Sequence, residues 1–286
     1  MVKNVGALQR RLVKWNIKPG MTPIAWHISR EVAQMQQDPR LEGIDLEGAI
    51  RRGIEGWNRA FSFPVFEVVP TGENDSPGDD DKNFLVVDPN PSAGYAFANW
   101  RENPNTGEIR GASVYFSSIF IDGAIASAPE GEPTPTGFNL YMPAPAKKTP
   151  QLGWSSMPEN AACMLRRNVS ASATPSGMTR KQFIEDAITH TVLHEIGHTL
   201  GLRHNFMGSL EGSSVMDYLN DDDAVYLAVP GPYDIEAVRY LYGLNAERPS
   251  QAFCTDRHRK LIADCNTFDS AAAPLNDFAA PRFSGQ

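Results

Sequence analysis

Residues 194–204 of the chain read HEIGHTLGLRH and are the most informative part of the sequence. His194 and His198 are four positions apart, so on a helix their imidazoles project from one face about one turn apart. Gly201 allows a left-handed turn at the helix end, after which His204 arrives as a third nitrogen ligand. Three protein ligands with an open fourth position are typical of a catalytic Zn²⁺ site rather than a structural one.

The residue after the first histidine is an acid that suits the same chemistry. Glu195 can reach a water on the metal without itself becoming a ligand, so we predict that it is the general base. Surface charge and an ordinary helix cap are the alternative explanations for such residues. Several prescribed residue types at fixed spacing rarely arise by accident, so the motif predicts one Zn²⁺ and hydrolysis of a polypeptide substrate.

The motif ends the strongest helical pattern in the chain, which we predict over residues 179–200. Thr179 and Gln182 form a capping-box pair at its start. His190 lies one turn before the first ligand, and we expect it to pack or to support the site, since three ligands are already present. The helix carries an apolar stripe with helical spacing, made of Ile184, Ile188, Val192, Ile196 and Leu200.

Alternating and β-branched patterns elsewhere predict a sheet with a second long helix. A turn at 103–108 should join the last two strands as a hairpin. Residues 73–83 are a polar, acidic loop that could cage calcium, although its order matches no recognised ligand pattern. Pro and Gly are frequent from 129 to 153, a passage that we expect to shape a cleft or to be partly disordered. The predicted strands cover 22–29, 63–70, 84–87, 93–100 and 109–121, and the predicted second helix covers 46–61.

Charge and hydropathy exclude two classes of partner. The formal net charge is −8, and no Lys/Arg-rich run is present, so we expect no nucleic acid to bind. No apolar run reaches the roughly eighteen residues of a membrane span. Residues 1–10 lack the features of a signal peptide, so we expect either a cytosolic protein or a mature or trimmed chain that carries an added Met1.

The three cysteines are too few for a disulfide scaffold. Cys254 and Cys265 lie close together in a polar segment, and we favour a bridge between them over two free thiols. Such a bridge implies an oxidising compartment, and therefore a secreted or periplasmic location. Cys163 is predicted to be buried and inert, because nothing near it in sequence would lower its pKa.

The full pattern HExxHxxGxxH resembles the signature of the metzincin clan of metallopeptidases. In that clan a turn containing a methionine lies beneath the zinc, and residues 214–218, SVMDY, resemble it, with Met216 as the floor. Tyr218 matches the tyrosine that stabilises the oxyanion in astacin-like and serralysin-like members. Residues 233–243 resemble the serralysin-type C-terminal helix.

The residue after the third histidine usually marks the metzincin subfamily, and Asn205 is not the residue of the familiar subfamilies. The longer string HEIGHTLGLRHNF, with FCTDR and DCNTFD, is most similar to the bacterial EcxA group, whose named member is the metalloprotease A subunit of a cholera-like AB toxin. The resemblance implies a toxin subunit whose C-terminal tail binds a B-subunit ring. Arg257, Arg259 and Lys260, between the paired cysteines, could then be a proteolytic nick site or simply a basic loop. The other readings are a stand-alone secreted or envelope protease and a catalytically silent zinc-binding module.

The resemblance also implies an α/β fold with two lobes. We predict an upper lobe over residues 1–201, with a twisted mixed sheet and two long helices that include the zinc helix. A small, mostly helical or irregular lower lobe, 202–286, should hold the third histidine, the Met-turn, a helix at 234–243, the 254–265 loop and the tail. Zinc should lie in the cleft between them, and an extended peptide should pair with an edge strand near 112–117.

Overall fold

The structure, a computed structural model, describes residues 12–90, 93–129, 178–208, 214–218, 226–259, 261–262 and 265. The strands are β1 (Ile24–Ile28), β2 (Phe66–Val69), β3 (Asn83–Asp88), β4 (Ala96–Glu102) and β5 (Ile109–Ser117). The helices are α1 (Glu31–Met35), α2 (Leu46–Glu55), α3 (Asn58–Phe61), α4 (Ile119–Ser127), α5 (Arg180–Thr199) and α6 (Pro232–Leu241). The predicted α/β class is confirmed.

The five described strands form one mixed sheet in the order β2-β1-β3-β5-β4. The first four of these strands are parallel, and β4 alone runs antiparallel, paired with β5 through the hairpin at 103–108. The expectation of an edge strand near 112–117 is therefore wrong, because β5 lies between β3 and β4. The hairpin places its first strand outermost, so Ala96–Glu102 is the edge strand on this side of the sheet, and β2 is the edge strand on the other.

Helices α2 and α5 pack against each other beside the sheet, and α5 contacts β4 and β5. Their close approach depends on glycine, since a Cβ at Gly53 would lie 2.5 Å from Cβ of Val192. The indole nitrogen of Trp57 donates to the carbonyl of Leu193 at 2.9 Å, deep in the core. These contacts hold α5, the helix that carries the HExxH motif, against α2 and Trp57 in the core.

The two largest differences from the predicted elements concern one helix and one strand, and other element ends moved by a few residues. The helix predicted over 46–61 is divided into α2 and α3 by a turn at Gly56 and Trp57. The strand predicted over 109–121 ends at Ser117, and Ile119 already belongs to α4. Five of the seven residues from 119 to 125 are apolar, and such a short apolar segment does not distinguish a strand from a buried helix.

Several predictions fall on residues that the structure does not describe. These are most of the 129–153 passage, Cys163, Lys260 and the tail after residue 265. The division into lobes at residue 201 stays a prediction. None of the described helices combines the length and apolar character needed to cross a membrane.

Candidate metal centre

The three predicted histidine ligands meet at one point. Helix α5 begins with the predicted capping box between Thr179 and Gln182 and carries His194 and His198 near its end. Gly201 follows with a φ of +93°, a left-handed conformation that turns the chain back toward the helix. His204 then reaches the same place, and one ring nitrogen from each histidine lies within 4.8 Å of the other two.

Each of the three rings is oriented by an acceptor at its Nδ1 atom. Nδ1 of His194 lies 2.7 Å from the Val215 carbonyl oxygen, and Nδ1 of His198 lies 3.0 Å from that of Leu202. Nδ1 of His204 lies 3.2 Å from a carboxylate oxygen of Asp256. Carbonyl and carboxylate oxygens only accept, so each ring carries its proton on Nδ1 and directs the Nε2 lone pair elsewhere.

This protonation pattern tests whether the site fits a metal. The Nε2 atoms of His194 and His198 are 3.2 Å apart, and with both protons on Nδ1 no hydrogen bond can join them. Two lone pairs at that distance repel unless a cation lies between them. Ligands about 2.0–2.1 Å from a tetrahedral zinc would be separated by about 3.3 Å, so the His194–His198 pair has the spacing of two ligands of one Zn²⁺.

Burial keeps His194 and His198 in the neutral form that binds metal. Burial lowers the pKa of His194 well below its usual value, and the neighbouring His198 and His204 rings lower it further. Burial likewise lowers the pKa of His198 to about 3, with a further contribution from His204. Because metal competes with protons for an imidazole nitrogen, low pKa values favour ligation at neutral pH.

The Met-turn lies directly under the zinc helix. Met216 is fully buried, and its Sδ atom would be 2.4 Å from a Cβ placed on Gly197. The turn is also tied to the third ligand's segment, because the backbone nitrogen of Asn205 donates to the Met216 carbonyl at 2.9 Å. The position predicted for Met216 from the family resemblance agrees with this packing.

The two predicted catalytic residues lie in the same region. Glu195 follows His194 on α5, and its side chain is fully buried. The ring of Tyr218 lies 4.6 Å from the ring of His204 and stacks on that of His194 at 5.9 Å. Their positions are compatible with the predicted roles of base and oxyanion donor, and those roles stay predictions.

Three supporting residues were missed by the sequence reasoning. Asp234 is fully buried in α6 and accepts hydrogen bonds from Ser214 and from the backbone nitrogen of Val215. Asp256 supports His204, and the hydrogen bond from that histidine lowers the pKa of Asp256 to about 2. Asn205 was noted only as a departure from known subfamilies. Their partners are distant in sequence, so spacing could not reveal these roles.

Other predictions around the centre can be located. The Cys254–Cys265 bridge is confirmed. His190 packs against Tyr226 and lies 3.1 Å from the backbone nitrogen of Leu227, so it is a packed histidine and not a ligand. The basic residues Arg257 and Arg259 are exposed.

The acidic loop at 73–83 gives no second metal cluster. Within the described part of the chain, the histidine triad is the one group of three or more His, Cys, Asp or Glu residues that could hold a metal. In the loop, Asp75 and Asp79 both pair with Lys82, at 2.5 and 3.3 Å. Calcium binding by this loop stays an untested alternative.

A mixed sheet backed by a helix, with three histidines converging above a methionine turn, supports a zinc peptidase of the metzincin type. Comparison with protein families agrees: the Met-zincin family model matches residues 176–266. The model described as zincin-like metallopeptidase matches residues 121–213. Both matches contain the whole histidine triad. No curated protein matches the chain.

Proposed function

We propose that the protein is a zinc-dependent endopeptidase in which Glu195 is the general base and Tyr218 an oxyanion donor. The observation that carries this proposal is the convergence of three imidazoles, each with its proton held on Nδ1, together with a buried glutamate that follows His194 in the sequence. A structural zinc site would complete the shell with a fourth protein ligand. The described residues offer three such ligands, which leaves room for substrate.

The chain's own residues divide the work of hydrolysis. His194, His198 and His204 would hold the zinc, which when bound supplies Lewis acidity toward water and toward a carbonyl group. Glu195 would take the proton of the attacking water and deliver it to the leaving amine. Tyr218 would donate its hydroxyl to the negative charge that develops on the scissile carbonyl oxygen.

The edge strand β4 supports cleavage within a chain rather than at its end. Ala96–Glu102 pairs with β5 on one side, and within the described sheet it has no strand on the other. An extended polypeptide could add there through main-chain hydrogen bonds, which continue on both sides of the scissile bond. Such binding does not require a free terminus of the substrate.

Digestion of an unfolded protein substrate tests this function. Zinc-loaded wild type and Glu195→Ala would be compared, each shown by metal analysis to hold about one zinc. Cleavage at internal bonds by wild type, lost in the variant and after chelation, is the expected result. If both proteins hold zinc and neither cleaves, the silent zinc-binding module becomes the better description.

A finer proposal is that the enzyme is secreted or periplasmic and acts as the A subunit of an AB toxin. The support is the sequence resemblance to the EcxA group, together with a disulfide that suits an oxidising compartment. A stand-alone secreted or envelope protease is the alternative. Co-expression with small proteins encoded beside it, followed by size-exclusion chromatography, distinguishes them: a stable ring complex favours the toxin, and a monomer favours the single protease.

A further inference from the structure

We propose that Asp256 is a positioning residue for the third zinc ligand and that the Cys254–Cys265 disulfide holds it in place, so that zinc affinity depends on this bridge. The inference rests on the zinc centre and not on peptidase turnover. It would survive if the protein bound zinc without cleaving anything.

The third ligand is supported differently from the other two. His194 and His198 direct Nδ1 to backbone carbonyls of Val215 and Leu202. His204 instead directs Nδ1 to the side chain of Asp256, across 52 residues of sequence. A carboxylate behind a metal-bound histidine fixes the ring's tautomer and orientation and raises its basicity.

Burial does not hold Asp256 in position. Its side chain is 47 % exposed, and Arg203 approaches the same carboxylate oxygen at 3.8 Å. A half-exposed carboxylate would leave the imidazole easily if its backbone were mobile. The position of the backbone at residues 254–256 therefore determines whether the hydrogen bond to His204 is made.

That backbone is joined to the segment immediately after His204. The Phe206 nitrogen donates to the Cys254 carbonyl at 2.9 Å. The amide side chain of Asn205 accepts from the Cys254 nitrogen at 3.2 Å and donates to the Ala252 carbonyl at 3.2 Å. Asn205 is fully buried, so its amide is an internal link between the third ligand and the disulfide segment.

The disulfide itself lies in a small apolar cluster against the metal centre. Cys254 and Cys265 are buried together with Phe206 and Tyr218. Both aromatic rings lie against the ring of His204, at 5.2 and 4.6 Å between centroids. Breaking the bridge would remove the cross-link that closes residues 254–265 and would loosen the segment that carries Asp256.

Zinc affinity is the direct test, measured by competition with a chromogenic chelator. Asp256→Ala should weaken zinc binding by about 10- to 100-fold, the usual effect of losing such a partner. Asp256→Glu should recover part of this loss, because it restores a carboxylate. Glu247→Ala removes an exposed carboxylate outside the centre and is the matched control, with affinity equal to that of wild type.

The role of the bridge is tested by a double-mutant cycle. In the Cys254→Ser/Cys265→Ser background, adding Asp256→Ala should have little further effect, because the carboxylate is no longer held. If Asp256→Ala weakens zinc binding by the same factor with and without the bridge, the proposed role of the disulfide is overturned. Unchanged zinc affinity in Asp256→Ala with the bridge intact would overturn the whole proposal, even if the bridge-free protein fails to fold.

Discussion

The sulfur atom of Met216 occupies the space that a side chain at position 197 would need. A Cβ on Gly197 would lie 2.4 Å from that sulfur and 2.8 Å from the indole of Trp57. In the sequence, Gly197 lies between Glu195, the predicted general base, and His198, the second predicted zinc ligand. The glycine inside the motif therefore sets how closely the Met-turn and the zinc helix approach each other.

Gly197→Ala should destabilise the fold, because the added methyl group must displace Met216 or Trp57 in a closely packed core. We expect a loss of about 1–3 kcal/mol in the free energy of unfolding, measured by urea denaturation. Gly94→Ala is the control, since a Cβ at that position meets nothing within 4 Å. Equal stability of the two variants would contradict the proposed contact.

Tyr218→Phe should lower kcat by about 100-fold while zinc content stays at that of wild type, because only the donor to the oxyanion is lost. Steady-state kinetics on a peptide substrate, with metal analysis of each preparation, measures this. Tyr240→Phe, which alters an exposed tyrosine of α6, is the matched control. A loss confined to KM would mean that Tyr218 binds substrate instead.

Asp234→Ala should weaken the support beneath the zinc. The change leaves the Ser214 hydroxyl and the backbone nitrogens of Val215 and Gly231 without their acceptor in a buried region. Each buried donor left unsatisfied costs about 1–3 kcal/mol, so unfolding should require clearly less denaturant. Asp234→Asn keeps one oxygen acceptor, so its stability should lie between that of wild type and that of Asp234→Ala. A stability below that of Asp234→Ala would contradict this account.

Acid should destabilise the protein partly through His190. Burial lowers the pKa of this histidine to about 4 in the folded chain, against about 6.5 for a histidine in the unfolded chain. Its contribution to stability is therefore fully present above about pH 6.5 and is lost as the pH falls through about 4, by up to about 3 kcal/mol. The sign follows because the unfolded chain binds the proton more tightly.

Comparison of zinc-free wild type with His190→Gln isolates this effect from the ligand histidines. The fall in melting temperature between pH 7 and pH 4.5 should be smaller in the variant. His258→Gln, which changes a partly exposed histidine, should keep the wild-type fall. Identical pH profiles for all three proteins would show that His190 does not contribute.

Local patterns predicted the centre of the molecule well. The capping pair Thr179–Gln182, the spacing of His194 and His198, and the turn at Gly201 are all properties of one continuous segment, and the structure reproduces them. The disulfide was also accessible, because its two cysteines are near neighbours in sequence. Periodicity located each of the five strands in the part of the chain that the structure describes, although the ends of several strands moved by a few residues.

Long-range relations were not accessible in the same way. Whether β4 or β5 lies at the sheet edge depends on which strand pairs with β3, and alternation within a strand contains no such information. The same is true of Asp256, whose role depends on a contact with His204 across 52 residues. Asn205 was conspicuous in sequence, yet its hydrogen bonds to the disulfide segment required coordinates.

The ligands of the metal centre are local, whereas the groups that orient them are dispersed along the chain. The histidines lie within residues 194–204, but their acceptors come from Leu202, Val215 and Asp256. During synthesis, a chain that has emerged only as far as His204 would carry every ligand and little of their support. A high-affinity zinc site would then form late, after the C-terminal segment has been made and oxidised, so that proteolytic capacity would develop only in the finished molecule.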